Sequence, residues 1–200
     1  MPNPLKLIVF IALSLLSFAS RGALIVSYLG AGDDTGVLAY HNAYPGGAPS
    51  HPQDAFQVFD FTNGYVGPEQ LLDRSRVSSD SLGLVDVTAS QALSVFAVSD
   101  TVNSDTSGPV WAEWQFDISG FQQLVLGLDM AAMGDFETSD VFSFSYGIDG
   151  AAATPLWQSS VNTIGSQSYA MASGDSEILD DPLLFSGTVL NNEFSRFEQA

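Results

Sequence analysis

Short runs in which apolar and polar residues alternate recur along most of the chain, separated by Gly, Pro, Asp and Ser, and they predict strands. The clearest is 110–116, where Val110, Ala112, Trp114 and Phe116 share one face while Trp111, Glu113 and Gln115 share the other. Leu124, Leu126, Leu128 and Met130 repeat this period of two. So do Phe142, Phe144, Tyr146 and Ile148, set against Val141, Ser143, Ser145 and Gly147. Further strands are predicted over 23–28, 36–40, 55–61, 82–87, 93–98, 155–161, 167–171, 184–190 and 193–198. The stretches 44–53 and 99–108 read as loops. About twelve short segments spaced by turns predict an all-β fold, an antiparallel two-sheet sandwich.

The first 22 residues break this pattern. Lys6 precedes a continuous apolar run over 7–19, followed by Ser20 and Arg21. A membrane-spanning helix needs about 20 apolar residues, so this run is too short, and its flanks match a secretory signal peptide. The sequence therefore predicts a signal-peptide helix over 1–22 and one β-sandwich domain over 23–200. Cleavage is expected after Ala19 or Gly22, so that the secreted form begins between Ser20 and Leu24, which places the protein outside the cell or on its surface.

Charge sharpens the picture. The chain has 23 acidic against 5 basic side chains, a net charge of -18, and no cysteine. Beyond residue 22 all 23 acids remain but only Arg74, Arg76 and Arg196 are basic, so export would deepen the charge to -20. Such a surface repels phosphate and predicts no nucleic-acid partner, and after signal cleavage no membrane partner. The lack of cysteine excludes disulfide staples and thiolate metal sites.

The segment Trp114-Gln115-Phe116-Asp117-Ile118-Ser119-Gly120-Phe121 runs on into LVLGLDM (124–130) and SDVFSFSYGIDG (139–150). Together these resemble a jelly-roll module of secreted bacterial multidomain proteins, over about residues 50–200. Such modules accompany lamin-tail-like, extracellular nuclease or surface-sorting regions. The resemblance implies a jelly-roll-like sandwich and carries over no catalytic residue. Modules of this kind continue past an F-x-x-F strand into a closing strand pair, whereas here FSRFEQA (194–200) is the last stretch and no Pro-Glu-Pro sorting tail follows. The final strands are therefore expected to be missing. An open sheet edge near 184–197 is expected to favour self-association.

Candidate chemistry is sparse. Gly174-Asp175-Ser176 echoes a protease motif without its following glycines, and no G-x-S-x-G elbow occurs. Glu113 and Asp129, on neighbouring predicted strands, are the carboxylates available for a glycosidase pair. His41, His51 and Asp54 combine imidazole and carboxylate near a Pro/Gly-rich loop. Asp135, Glu137 and Asp140 lie in one inter-strand loop, where oxygen-rich turns suit calcium, and a plain solvated turn is the alternative. Asp33-Asp34 and Asp180-Asp181 are weaker pairs of the same sort. Trp111 alternates away from the core face and is the candidate ligand-binding platform, whereas Trp114 is expected in the core. The function expected is that of a secreted, non-catalytic module binding a polysaccharide or cell-surface component, with calcium as the cation expected to stabilise it. The alternatives are a structural or adhesive segment of an extracellular surface protein, or an accessory fragment of a secreted hydrolase.

Overall fold

The computed structural model describes residues 6–9, 37–42, 55–60, 94–99, 109–121, 123–171 and 174–200. Every regular element among them is a strand, and every strand pairing is antiparallel. The strands are β1 (Lys6–Val9), β2 (Val37–Asn42), β3 (Ala55–Asp60), β4 (Ser94–Ser99), β5 (Ala112–Asp117), β6 (Leu126–Met130) and β7 (Ser143–Tyr146). They continue with β8 (Thr154–Val161), β9 (Ser166–Ala170), β10 (Ser176–Asp180), β11 (Leu183–Phe185), β12 (Thr188–Val189) and β13 (Ser195–Gln199). They form sheets in the orders β1-β5-β2, β3-β4, β12-β11-β8-β7, β9-β10 and β6-β13. The predicted segments 23–28 and 82–87 lie outside the described residues.

Turn chemistry sets several of these connections. Asp149 and Gly150 both have positive φ, 53° and 76°, and Ala151 N–H donates to the Ile148 carbonyl at 2.9 Å. That backbone matches the right-handed twist of a two-residue hairpin and favours Asp-Gly. Ser186 and Gly187, at 51° and 81°, do the same between β11 and β12. Residues 184–190, expected as one segment, are therefore two strands folded back at a Ser-Gly turn.

Two further expectations are corrected. Lys6–Val9 form no helix: they are extended and pair with Trp114–Asp117 of β5, leaving the rest of 1–22 outside the described residues. An apolar run has no period of its own to separate helix from strand, and the edge of β5 offers unpaired backbone groups. The second correction is β10, which was not expected. Its Glu177 and Leu179 are half-buried while Ile178 is 69% exposed, so its acid and its isoleucine sit on the faces opposite to their polarity.

The core is aromatic. In one cluster Phe56 of β3 and Phe96 of β4 meet edge-to-face at 4.9 Å, and Phe96 meets Trp114 of β5 in the same way at 5.1 Å. Ala112, Phe116, Ile118 and Leu126 complete it. In the second, Phe185 contacts Phe144 at 5.3 Å and Phe197 at 4.7 Å, with Leu128, Met130, Leu183 and Leu190 around them. A bulge in β8 joins the two clusters. Phe144 pairs with Trp157 but Ser145 with Pro155, which leaves Leu156 as the extra residue. A bulge re-aims the side chains beside it, and the consecutive Leu156 and Trp157 both pack against both clusters.

Buried polar groups are used as ties. Ser159 donates its N–H to the Phe142 carbonyl and accepts Phe142 N–H on its hydroxyl, both at 2.9 Å. Asn192 donates to the Ala170 carbonyl at 2.8 Å, fastening the approach to β13 against β9. The 184–197 region, expected to be an open edge, pairs on one side with β8 through β11 and with β6 through β13.

Phe185 is fully buried at the centre of its ring cluster. Phe185→Ala is expected to cost about 3–5 kcal/mol of unfolding free energy. Ile178→Ala, at an exposed position, is expected to stay within about 0.5 kcal/mol. Denaturant titration of the two variants side by side checks both values.

Candidate functional site

The alternation of β5 gives the sheet two unlike faces. Ala112, Trp114 and Phe116 are buried and Glu113, Gln115 and Asp117 are half-buried on the opposite side, as expected from the sequence. Trp111 precedes the strand on that second side and is 42% exposed, whereas Trp114 is 2% exposed. Large aromatic rings are usually covered, so one left in solvent on a sheet face is the informative feature.

Neighbouring residues build a patch around it. Strand β2 runs antiparallel to β5 with His41 opposite Glu113 and Ala39 opposite Gln115. The His41 ring lies against Trp111, centroids 5.0 Å apart and tilted by 46°. Gln115 Nε2–H donates to Glu113 Oε1, joining the alternate residues of the outer face. On the inner side Tyr40 lies 5.1 Å from Trp114, and its hydroxyl accepts a hydrogen bond from Asn42 at 3.1 Å. Burial pushes the Tyr40 phenol above its ordinary pKa. The outer face thus presents an aromatic plane, an imidazole, a carboxylate and an amide along one strand direction. Sequence alternation identified Trp111, Glu113 and Gln115 as one face. His41 entered the patch only through the β2–β5 register, which no local pattern carries.

The other expected constellations fall differently. In the 135–140 loop, Asp140 accepts Glu137 N–H on its carboxylate at 3.0 Å and donates its own N–H to the Glu137 carbonyl at 2.8 Å. Asp135 and Glu137 are exposed. The loop is held from outside by Phe136 N–H on the Asp181 carbonyl and by Ala132 N–H on the Asn191 carbonyl. Among the described residues, no three His, Asp or Glu side chains converge as a metal-ligand group. His51, Asp54 and Asp33-Asp34 lie outside the described residues. Asp180 ends β10, and Asp181 forms the bend after it at a φ of 50°.

Glu113 and Asp129, expected on neighbouring strands, occupy strands that do not pair: β5 lies between β1 and β2, and β6 pairs with β13. Asp129 is engaged instead by Arg196 Nη1 at 3.1 Å, and Arg196 Nε also meets Glu198 at 3.0 Å. Burial nevertheless raises the Asp129 pKa, outweighing the lowering by Arg196. The guanidinium lies across Gly127, where an added Cβ would fall 2.5 Å from Arg196 Nη2. Gly174-Asp175-Ser176 is a hairpin connection into β10: Gly174 has a φ of 86°, and the Asp175 carbonyl accepts Met171 N–H.

Comparison with protein-family models, curated proteins and solved structures found no match to this chain. Any functional reading therefore rests on this chain's own geometry.

Proposed function

We propose that the protein is a secreted, non-catalytic module with a jelly-roll-like sandwich fold that binds glycan through the outer face of β5. The observation that carries this reading is Trp111, exposed on the outer side of β5, whereas Trp114 on the opposite side is buried. A flat ring in solvent can stack on the C–H face of a pyranose, since the C–H groups on one side of the sugar chair form an apolar, weakly hydrated patch that the ring covers. Glu113 and Gln115 on the same face supply a hydrogen-bond acceptor and a donor suited to sugar hydroxyls. The sandwich part of the proposal is supported by the first core cluster, which draws on β3, β4, β5 and β6 and therefore lies between separate sheets.

Calcium at the 135–140 turn belongs to the same proposal. The turn is closed by its own backbone and the Asp140 carboxylate, which keeps Glu137 and Asp140 in one short loop, while Asp135 and Glu137 face solvent. Calcium accepts irregular oxygen shells completed by carbonyls and water.

Trp111→Ala is expected to abolish retention on polysaccharide while changing stability by less than about 1 kcal/mol, because the ring is exposed. Affinity electrophoresis through polysaccharide gels and a parallel thermal melt read the two quantities. A large loss of stability, or unchanged retention, makes Trp111 a packing residue.

Calcium is expected to raise the melting temperature more than magnesium or sodium at matched ionic strength. At a hundredfold excess over its dissociation constant the gain is about 2.7 kcal/mol. Asp135→Asn combined with Asp140→Asn is expected to remove that rise. An equal effect of magnesium, or a rise that survives in the double variant, makes the loop a solvated turn.

A further inference from the structure

We infer that the ligand of the β5 face is an uncharged polysaccharide, bound as a run of linked sugars along the strand; this rests on the glycan reading above and names its chemical class. The first observation is the placement of charge. Glu113 alternates with Trp111 on the same face, so a sugar stacked on the ring lies beside a carboxylate. A uronic acid or sulfated sugar there would set anion against anion. The whole chain, at a net charge of -18, adds repulsion of the same sign at longer range.

Among the described residues, the cations that could offset this lie elsewhere; Arg74 and Arg76 fall outside the described residues. Arg196 lies on β13, committed to Asp129 and Glu198. Lys6, opposite Asp117 in the β1–β5 register, belongs to the leader that is expected to be removed. Among the described residues, the side chains beside the ring are His41, packed against it, and the Gln115 amide, joined to Glu113. The patch recognises hydroxyls: Glu113 accepts from them, the amide both donates and accepts, and Trp111 covers a C–H face.

The second observation is extent. Trp111 and Gln115 are four residues apart on an extended strand, about 14 Å at 3.4 Å per residue. Stacking at one end and hydrogen bonding towards the other suit several linked rings better than a single sugar. Among the described residues, Trp111 is exposed and Glu113 and Gln115 are half-buried along this direction, an arrangement that suits the middle of a chain as well as its end.

The test uses the full secreted chain at pH 8 and three soluble neutral polymers, a β-glucan, a mannan and a xylan, each with its carboxymethylated derivative. Binding is measured at about 20 mM and about 500 mM salt, where the screening length falls from roughly 20 Å to roughly 4 Å. At least one neutral polymer is expected to bind, with its carboxymethylated form at least tenfold weaker at low salt and the gap narrowing at high salt. Glu113→Gln is expected to shrink the neutral-to-anionic ratio at low salt, whatever it does to affinity for the neutral polymer. If the carboxymethylated polymer binds as well as the neutral one and Trp111→Ala weakens both, the chemical class is wrong and the glycan site stands. If none of the six polymers binds, the glycan reading itself fails.

Discussion

Phe96 and Phe185 each stand where two other rings meet them edge-to-face, and the described fold depends on those two junctions. The reason lies in what the chain lacks and what it carries. With no cysteine, no cross-link constrains the unfolded state. With 23 acids against 5 basic residues, compaction brings like charges together and opposes folding. The ion pair best placed to help, Arg196 with Asp129, leaves Asp129 with a raised pKa, so burial costs that carboxylate more than its partner returns. Apolar burial must supply the balance, and aromatic side chains bury the most area per residue. The β8 bulge extends this logic by letting consecutive residues, Leu156 and Trp157, serve both clusters.

The same constraint gives the exposed face its meaning. A fold short of stabilising contacts gains by covering every large ring, yet Trp111 remains 42% exposed, with the His41 ring against it. The neighbouring Glu113 and Gln115 are joined to each other rather than to a covering loop. A ring left uncovered beside ordered hydrogen-bonding groups has the composition of a small binding surface: one apolar plane with a few fixed polar atoms.

Most of the strand layout was legible because central strands have one dry face and one wet face. In β5 that contrast makes the period of two unmistakable and separates Trp111 from Trp114 in the sequence itself. Where an element lacks the contrast, the pattern fails. Strand β10 points Ile178 outward and half-buries Glu177, so its polarity reads backwards. The apolar run containing Lys6–Val9 has no polar alternation, and there helix and strand look alike in sequence. Residues 184–190 were divided by a single Ser-Gly turn whose positive φ values only the backbone reveals. At the site, same-strand neighbours were readable. The cross-strand partner His41 was not, since register across a bulged pair between Val37 and Ala39 leaves no local signature.

The central claim is that Trp111, rather than Trp114 or Trp157, meets the ligand. Nitrogen-15 NMR of the indole N–H groups tests it directly, since the chain has three tryptophans and hence three such signals. With the Trp111 signal assigned by its loss in Trp111→Phe, titration with a bound neutral polysaccharide should move or broaden that signal first and most. The buried Trp114 signal should hold its position. A polysaccharide that binds while the Trp111 signal stays fixed, or that moves only the Trp157 signal, contradicts the account.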